Sequence, residues 1–267
     1  MHPILLELGR FQVRSYGFML AVSFLLGIWL AGRRAKRYGI DPQKILDLSV
    51  LIILAAVVGS RLLYVVFHVE QFRNPLDVFA LWQGGATFYG GFILAMAASY
   101  WWVQRNGIAF LTIADVMAPS IALGLVFPRI GCFLSGCCYG KPTDGPLGLV
   151  FPPDSPAGSA AAALAQQLGR DTVALHPAQA YSSLKGLVIF TILMLLQPKL
   201  VKRGSTFGLL LVLYGIGRFT IDFFRIYEDN ARILFGLSFN QVISVVLFAV
   251  GMYLLTRRNA PAAHVNP

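Results

Sequence analysis

Four polar side chains share one face of a possible helix in the stretch LYGIGRFTIDFFR. Tyr214, Arg218 and Asp222 follow one another at four-residue intervals, and Arg225 comes three residues later, a spacing that brings side chains onto one side of an α-helix. An arginine inside so apolar a stretch normally faces a cavity and pairs with an opposite charge. The pattern indicates either an Arg218–Asp222 ion pair that locks two helices together or a site for an anion. The additional arginine and phenol favour a site.

A second cluster of reactive residues is the stretch RIGCFLSGCCYGKP, which contains all three cysteines of the 267-residue chain. Arg129 opens this stretch and Lys141 lies near its end. The two cations, together with exposed backbone amides of Gly131, Gly136 and Gly140, would form a cradle for an anion. We therefore predict that the stretch binds a phosphate group.

The three thiols of this stretch allow three interpretations. A zinc site needs about four ligands, and Cys132, Cys137 and Cys138 supply three, with the adjacent pair poorly placed to converge, so His176 would have to be the fourth. An oxidising compartment would allow a disulfide between Cys132 and either of the other two. Alternatively, the thiols are compact polar side chains of a binding loop, with neither metal nor cofactor.

The elements that carry these residues follow from an apolar composition. Hydrophobic residues make up 57% of the chain and charged residues 13%, and the mean hydropathy is +0.67, whereas about a quarter of the residues in soluble domains are charged. We therefore predict an all-α polytopic membrane protein, in which a phospholipid is the most abundant source of phosphate. Seven apolar runs approach the length of about 18 to 25 residues that spans a bilayer, at 16–30, 45–67, 86–103, 110–127, 180–196, 207–224 and 241–255.

Three of these runs contain a further polar side chain that needs an explanation. Arg61 in VGSRLLY either snorkels to the membrane surface or takes part in a site. Tyr89 lies between two glycine pairs in WQGGATFYGGF, where the glycines favour close helix packing and the phenol is presented at a crowded point. Tyr16 fits either an interfacial belt of aromatic residues or a site. All three are candidates for the same site as the arginines.

The distribution of basic residues predicts the orientation of the chain. GRRAKR follows the first run, QRNG the third, PKLVKRG the fifth and TRRN the seventh, and loops rich in Lys and Arg stay in the cytoplasm. The N-terminus is therefore predicted outside and the C-terminus inside. The net charge of +10 is then mainly a topology signal with some attraction to anionic lipid head groups, so we expect no binding of nucleic acid.

One outer connection is far longer than the others. Residues 129–176 separate the fourth and fifth runs, and connections of more than about 15 residues are usually functional or disordered. The Ala-rich piece SAAAALAQQLG within this connection is predicted to form a short interfacial helix. The first run ends in a basic cluster and has no cleavage pattern, so we expect a retained helix. We treat residues 1–267 as a single membrane domain.

Seven stretches occur in order along the chain, from about Tyr16 to Ser244. They read SYGFML, GSRLLYVVF, WQGGATFYGG, DVMAPSIALGLVFPRIGCFLSGCCYGKP, LHPAQAYSSL, YGIGRFTIDFFR and LSFNQVIS. Together they resemble the bacterial prolipoprotein diacylglyceryl transferases. The resemblance implies an inner-membrane enzyme that transfers the diacylglyceryl group of phosphatidylglycerol to the lipobox cysteine of a preprolipoprotein and releases glycerol 1-phosphate. Its partners would be phosphatidylglycerol, the preprolipoprotein signal peptide and membrane lipids.

The resemblance also implies roles for individual residues. Arg129 takes the place of the signature arginine that binds the phosphatidylglycerol head group, and Arg218 that of the essential arginine of the sixth helix. Tyr16, Tyr214 and Gly140 match further site positions. The predicted substrate-binding set is completed by the remaining cations near the motifs, which are Arg61, Lys141 and Arg225.

The chain departs from the family pattern at several positions. Tyr89 stands where the family has the histidine of an HGG motif, so we assign the transfer of the thiol proton to its phenol. Cys132 and Cys137 replace an asparagine and a glutamate of the signature loop, and Asp222 replaces a glutamate. Because the cysteines coincide with these polar positions, we favour the interpretation that they are polar side chains that bind substrate.

Two other functions remain open from the sequence. The first is that of a divergent relative that lipidates a different acceptor. The second is a lipid transporter or flippase in which Arg218 and Asp222 line a pathway. Transporters are commonly built from inverted repeats with interrupted helices, and the sequence shows no such halves.

Overall fold

The structure is a computed structural model that describes residues 1–8, 11–71, 85, 87–226, 232–234 and 236–257. Helices dominate these residues, with two short antiparallel strand pairs that the sequence did not indicate. The strands are β1 (Ile4–Leu8), β2 (Phe11–Arg14), β3 (Arg232–Leu234) and β4 (Leu237–Ser238), paired β1 with β2 and β3 with β4. The helices are α1 (Ser15–Ala35), α2 (Pro42–Phe67), α3 (Phe88–Arg105), α4 (Phe110–Gly124), α5 (Phe127–Leu134), α6 (Pro156–Leu168), α7 (Ala178–Leu196), α8 (Ser205–Asp222) and α9 (Phe239–Thr256).

Each of the seven predicted apolar runs coincides with a helix or a consecutive helix pair. Within the described part of the chain, five helical segments are long and apolar enough to cross a membrane: Ser15–Tyr38, Pro42–Phe67, Phe110–Leu134, Ala178–Lys199 and Phe239–Thr256. The prediction of a mainly helical membrane protein is confirmed. The count of seven crossings stays a prediction, since it needs α3 and α8 to span as well.

Local sequence explains where several helices begin. Asp41 accepts a hydrogen bond from the Gln43 backbone N–H at 2.9 Å, and Pro42 occupies the first turn of α2, where its missing N–H has no cost. Ser238 and Gln241 form a capping box at the start of α9. The side chains of both residues therefore serve the cap of α9.

The described residues pack as two compact units. The larger combines Met1–Leu30 with the described part of Ala114–Ala262, and the smaller is the described part of Ala31–Ile113. The prediction of one domain over residues 1–267 stays a prediction.

In the larger unit, glycines bring α8 and α9 into backbone contact. A β-carbon on Gly215 would lie 2.7 Å from the Ser244 carbonyl oxygen, and one on Gly208 would lie 3.0 Å from that of Gly251. Such contacts need small residues, which is the usual way membrane helices pack closely. A cluster of buried apolar side chains joins α8 to α4 and α7, and its members are Ala118, Ala122, Ile189, Leu193 and Leu210.

The long segment after α5 has an apolar core of its own. Ser155 caps α6 by accepting a hydrogen bond from the Gly158 backbone N–H at 3.0 Å, and the helix ends at Gly169 in the left-handed conformation. The predicted Ala-rich helix is therefore present. Its buried face packs with strand-like neighbours in a cluster of Phe151, Ala157, Ala161, Ala165, Val173 and Leu175. The Ala157 N–H donates to the Gly136 carbonyl at 3.0 Å, which fixes this core to the cysteine stretch.

In the smaller unit, α2 and α3 cross at glycines. Gly59 and Gly90 each lie against the backbone of the other, and a β-carbon on Gly91 would lie 2.7 Å from the Ala56 carbonyl oxygen. Close packing is therefore the structural role of the glycines after Tyr89. Gly84, the first of the glycines before Tyr89, lies outside the described residues.

Candidate functional site

The larger unit gathers four cations from three segments. Arg129 comes from α5, Lys185 from α7, Arg218 from α8 and Arg225 from the chain just after α8. The positive charges of the three arginines lie close enough to act on the Lys185 ammonium. Like charges gathered in an apolar protein interior repel one another, and such an arrangement is typical of a site whose ligand is an anion.

Lys185 is held between two residues of α8. Its Nζ atom lies 4.3 Å from the centre of the Tyr214 ring, a cation–π contact. Its aliphatic stem crosses Gly217, because a β-carbon at that position would lie 2.5 Å from Lys185 Cδ. The absence of a side chain at Gly217 therefore makes room for the lysine.

Arg218 pairs with Asp222 one turn further along α8. The Arg218 Nη1 atom lies 3.4 Å from Asp222 Oδ1, and the Asp222 side chain is only 2% exposed. The Ser238 hydroxyl donates to the other carboxylate oxygen and accepts from the Gln241 backbone N–H at 3.1 Å. The ion pair that the sequence left as the alternative to an anion site is thus present, and it connects α8 to the start of α9 through the Ser238 hydroxyl.

Arg129 lines an apolar groove between α5 and α7. The groove has a volume of about 300 Å³, and apart from Arg129 and Ser183 it is lined by apolar residues, namely Ile130, Phe133, Ala180, Leu184 and Leu187. Tyr16 of α1 is near, since a β-carbon on Gly131 would lie 2.9 Å from its Cα. A guanidinium above an apolar groove matches an amphiphile with an anionic head group.

The cysteines after Arg129 form a tight turn with three free thiols. The three sulfur atoms all lie within 4.8 Å of one another, so the expectation that the adjacent cysteines converge poorly is wrong. The reason is the backbone: Cys138 has φ 60°, a left-handed conformation that is uncommon for a residue with a β-carbon. His176 is not part of this group. Its ring nitrogen Nδ1 instead lies within hydrogen-bonding distance of the Tyr181 hydroxyl, at 3.0 Å.

Cys137 and Cys138, which are only partly buried, differ in the acidity of their thiols. A hydrogen bond from Cys132, helped by the charges of Arg129 and Arg225, lowers the pKa of Cys138 to about 5. Burial, together with the neighbouring Cys138, raises the pKa of Cys137. The turn therefore holds one thiolate close to the arginines at neutral pH.

The predicted amide cradle is wrong for two of its three glycines. The Gly136 N–H donates to the Phe133 carbonyl at 3.1 Å, and the Gly140 N–H donates to the His176 carbonyl at 2.8 Å. Gly140 instead allows close packing, since a β-carbon there would lie 2.8 Å from the His176 β-carbon. The Lys141 N–H donates to the Phe224 carbonyl at 2.8 Å, while its side chain is exposed. Both residues thus join the cysteine stretch to the end of α8, next to Arg225.

Arg61 and Tyr89 belong to the smaller unit. The Arg61 side chain is buried and its Nη1 atom donates to the Gly85 carbonyl at 3.0 Å, so the snorkelling interpretation is wrong. Its guanidinium carbon also lies 5.8 Å from the centre of the Tyr64 ring. Tyr89, in the first turn of α3, is 56% exposed.

Sequence reasoning missed Lys185, although a signal was present. It is the one charged residue between Ala180 and Leu196, and an ionisable side chain inside an apolar run is a candidate for a site by default. It also missed Asp115 of α4, whose carboxylate is 1% exposed and accepts from the backbone N–H groups of Gly204 at 2.5 Å and Phe207 at 2.8 Å. That carboxylate caps α8, the helix that carries Arg218.

Comparison with known proteins gives a consistent result. A family model described as prolipoprotein diacylglyceryl transferase matches residues 3–257. A phosphatidylglycerol–prolipoprotein diacylglyceryl transferase of Stenotrophomonas maltophilia is 36% identical over 97% of this chain and 92% of its own length. Proteins of the same name from Nitratidesulfovibrio vulgaris and Pseudomonas fluorescens are 34% and 36% identical, over 95% and 99% of this chain and 93% and 96% of their own lengths.

Proposed function

Because the chain belongs to the prolipoprotein diacylglyceryl transferase family, we propose that it transfers the diacylglyceryl group of phosphatidylglycerol to the lipobox cysteine of a preprolipoprotein. The observation that carries the proposal is that Arg129 lines an apolar groove and is one of three arginines whose charges act on Lys185. A groove of this kind suits an acyl chain, and the cations suit a phosphate. The acceptor is the cysteine of a signal peptide, and the site uses no cofactor.

The reaction exchanges a carbon–oxygen bond for a carbon–sulfur bond. The acceptor thiol loses its proton, the thiolate attacks the glycerol carbon that carries the phosphodiester oxygen, and glycerol 1-phosphate leaves with the electron pair of the broken bond. Negative charge grows on the departing phosphate, so positive groups fixed in place beforehand stabilise the transition state. Arg129 and Arg218 have the planar guanidinium fork that can hold two phosphate oxygens at once. Lys185 adds a further positive charge, held against the face of the Tyr214 ring.

In this proposal Asp222 does not contact the phosphate but orients Arg218. It is buried and bonded to both Arg218 and Ser238, so it fixes the direction of the guanidinium and acts as a positioning residue. Tyr16, Cys132, Cys137, Gly140, Lys141, Arg225 and Arg61 remain the proposed surroundings of the substrate. Tyr89 is the proposed acceptor of the thiol proton, a role that requires its phenolate form, and its exposure leaves the side chain accessible.

The proposed setting is the bacterial inner membrane, crossed seven times with the N-terminus outside. The basic ends of alternate helices support this orientation: Arg33 and Arg34 lie in the last turn of α1 and Arg105 in the last turn of α3. Such residues resist transfer across the membrane. The thiol chemistry would then take place towards the outer face, where exported prolipoproteins arrive.

The decisive test combines genetics and chemistry. The chain should restore growth to a bacterium depleted of its own diacylglyceryl transferase. The purified protein should release glycerol 1-phosphate from phosphatidylglycerol when a lipobox peptide is added. The matched control is the same peptide with serine in place of the lipobox cysteine, which should give no release. Normal membrane levels without growth and without release would refute the proposal.

A further inference from the structure

The cysteine turn has a property beyond its proposed contact with the substrate. We propose that Cys132, Cys137 and Cys138 form a three-sulfur binding site for a soft monovalent cation, with Cu(I) as the ion that suits it. The proposal goes beyond the transferase activity, which needs no metal.

The geometry of the sulfur atoms supports one shared ion. Metal–thiolate bonds are about 2.3 Å long, so three sulfurs in a plane around one ion lie about 4 Å apart. The three Sγ atoms already lie within 4.8 Å of one another. That spread exceeds the ideal separation by less than about 1 Å.

The backbone of the turn is held from several directions. The Cys137 N–H donates to the Cys132 carbonyl at 3.1 Å, and the Gln179 side chain donates to the Cys137 carbonyl at 2.6 Å. Gln179 belongs to α7 and is 1% exposed, so the turn is fixed to a rigid helix. A site that is assembled before its ligand arrives loses little conformational freedom on binding.

The identity of the ligating atoms selects the ion. Among the described residues, the group contains three sulfurs and neither an imidazole nor a carboxylate. Structural zinc sites are almost always four-coordinate, whereas soft thiolate ligands suit Cu(I). With three sulfurs and, among the described residues, no imidazole or carboxylate as a fourth ligand, the site favours Cu(I) over Zn(II).

The surrounding charges suit the complex that would form. Once every proton still held by the thiols has been displaced, three thiolates and one monovalent cation carry a net charge of −2. The guanidinium groups of Arg129 and Arg225 lie close enough to act on Cys138 and balance that charge. Cys132 is buried, with 5% exposed, which protects the ion from water on one side.

The test is a competition for Cu(I) between the reduced full-length chain in detergent and a chromogenic Cu(I) chelator under anaerobic conditions. We expect one Cu(I) per chain, and no comparable retention of Zn(II) against a zinc chelator. Serine at any one of the three cysteine positions should weaken Cu(I) binding by more than about 10-fold, the lower end of what even an altered outer-shell partner costs. The matched control is Ser135→Ala, a change in the same turn that removes no thiol and should bind Cu(I) like the parent.

A second measurement does not depend on the folding of variants. X-ray absorption of the copper-loaded parent chain should show three sulfur neighbours around copper. The proposal is wrong if copper has fewer than three sulfur neighbours, if no stoichiometric Cu(I) is retained, or if the serine variants bind as tightly as the parent. It is also wrong if the native chain has fewer than three titratable thiols, because a disulfide would then occupy the turn.

Discussion

At the scale of single residues, the site is a set of cations whose positions are each fixed by a neighbour. Asp222 holds Arg218 from one side, and the Tyr214 ring lies beneath the Lys185 ammonium. Fixed charges of this kind need no reorganisation when a phosphate departs. Substitutions that keep the positive charge but change the geometry of its hydrogen-bond donors should therefore be as informative as substitutions that remove the charge.

Arg218→Lys tests the planar fork. Lysine keeps the charge but cannot hold two oxygens in parallel, so we expect release of glycerol 1-phosphate to fall by roughly 100-fold, the effect of losing one stabilising donor. The matched control is Arg170→Lys, at an exposed ion pair with Asp144, which should leave the rate unchanged. An Arg218→Lys enzyme as fast as the parent would remove this arginine from the leaving-group site.

Lys185→Met tests the cation that the sequence analysis missed. Methionine retains much of the stem that crosses Gly217 and removes the charge, so turnover should fall by roughly 10-fold or more, because one cation no longer stabilises the phosphate. Lys199→Met, in an exposed position at the end of the same helical segment, is the control. Equal rates for the two variants would mean that Lys185 has only a packing role.

Tyr89→Phe tests the proposed proton acceptor. Loss of the phenolic oxygen should slow turnover by roughly 100-fold, the usual scale for a general base, with lipid binding retained. Tyr89→His should restore activity and move the rate profile to lower pH, because imidazole titrates near 6.5. Tyr100→Phe on the same helix, 55% exposed, provides the comparison. A Tyr89→Phe rate like that of Tyr100→Phe would assign the proton transfer to another group.

At the scale of elements, α8 is positioned from both ends by distant residues. Asp115 caps its first turn from α4, and Ser238 holds the carboxylate of its last residue from the start of α9. These contacts join residues that are 89 and 16 positions apart along the chain. The helix that carries Arg218 is therefore oriented by tertiary contacts.

Asp115→Ala should destabilise the protein. The change leaves the backbone N–H groups of Gly204 and Phe207 without their acceptor in a buried place, at a cost of about 1–3 kcal/mol. Thermal unfolding in detergent should show a lower midpoint than for Asp144→Ala, which removes an acid whose side chain is 85% exposed. Equal midpoints would show that water or another group satisfies the two amides.

At the scale of the whole molecule, hydrophobic pattern alone located the helices, because an apolar run in a membrane has to satisfy its own backbone hydrogen bonds. The helical spacing from Arg218 to Asp222 offered the ion pair as the alternative to an anion site, and the pair is present. Lys185 was not predicted as a site residue, because one charged residue barely changes the average hydropathy of an apolar run. The convergence of the thiols was not predicted, because it depends on a left-handed backbone conformation at Cys138. Apart from glycine, the type of a residue rarely indicates that conformation.

The orientation of the chain is testable at the same scale. A reporter that is active only in the cytoplasm, fused after Arg257, should be active, and the same reporter placed within the exposed turn around Asp144 should be inactive. The opposite result at either position would reverse the orientation or change the number of crossings. Growth complementation by each fusion shows that it has folded.

The contacts of α1 also set an order of assembly during synthesis. The Ser23 hydroxyl donates to the Gly124 carbonyl at 3.0 Å, across 101 residues of sequence, and Tyr16 packs against Gly131 of α5. The α2 and α3 helices are neighbours in the chain and can pair as soon as both have left the ribosome, whereas α1 has to wait for α4 and α5. The first helix to enter the membrane is thus among those completed late, and a nascent chain halted before Gly124 contains Ser23 and Tyr16 but neither of the residues that these contacts need.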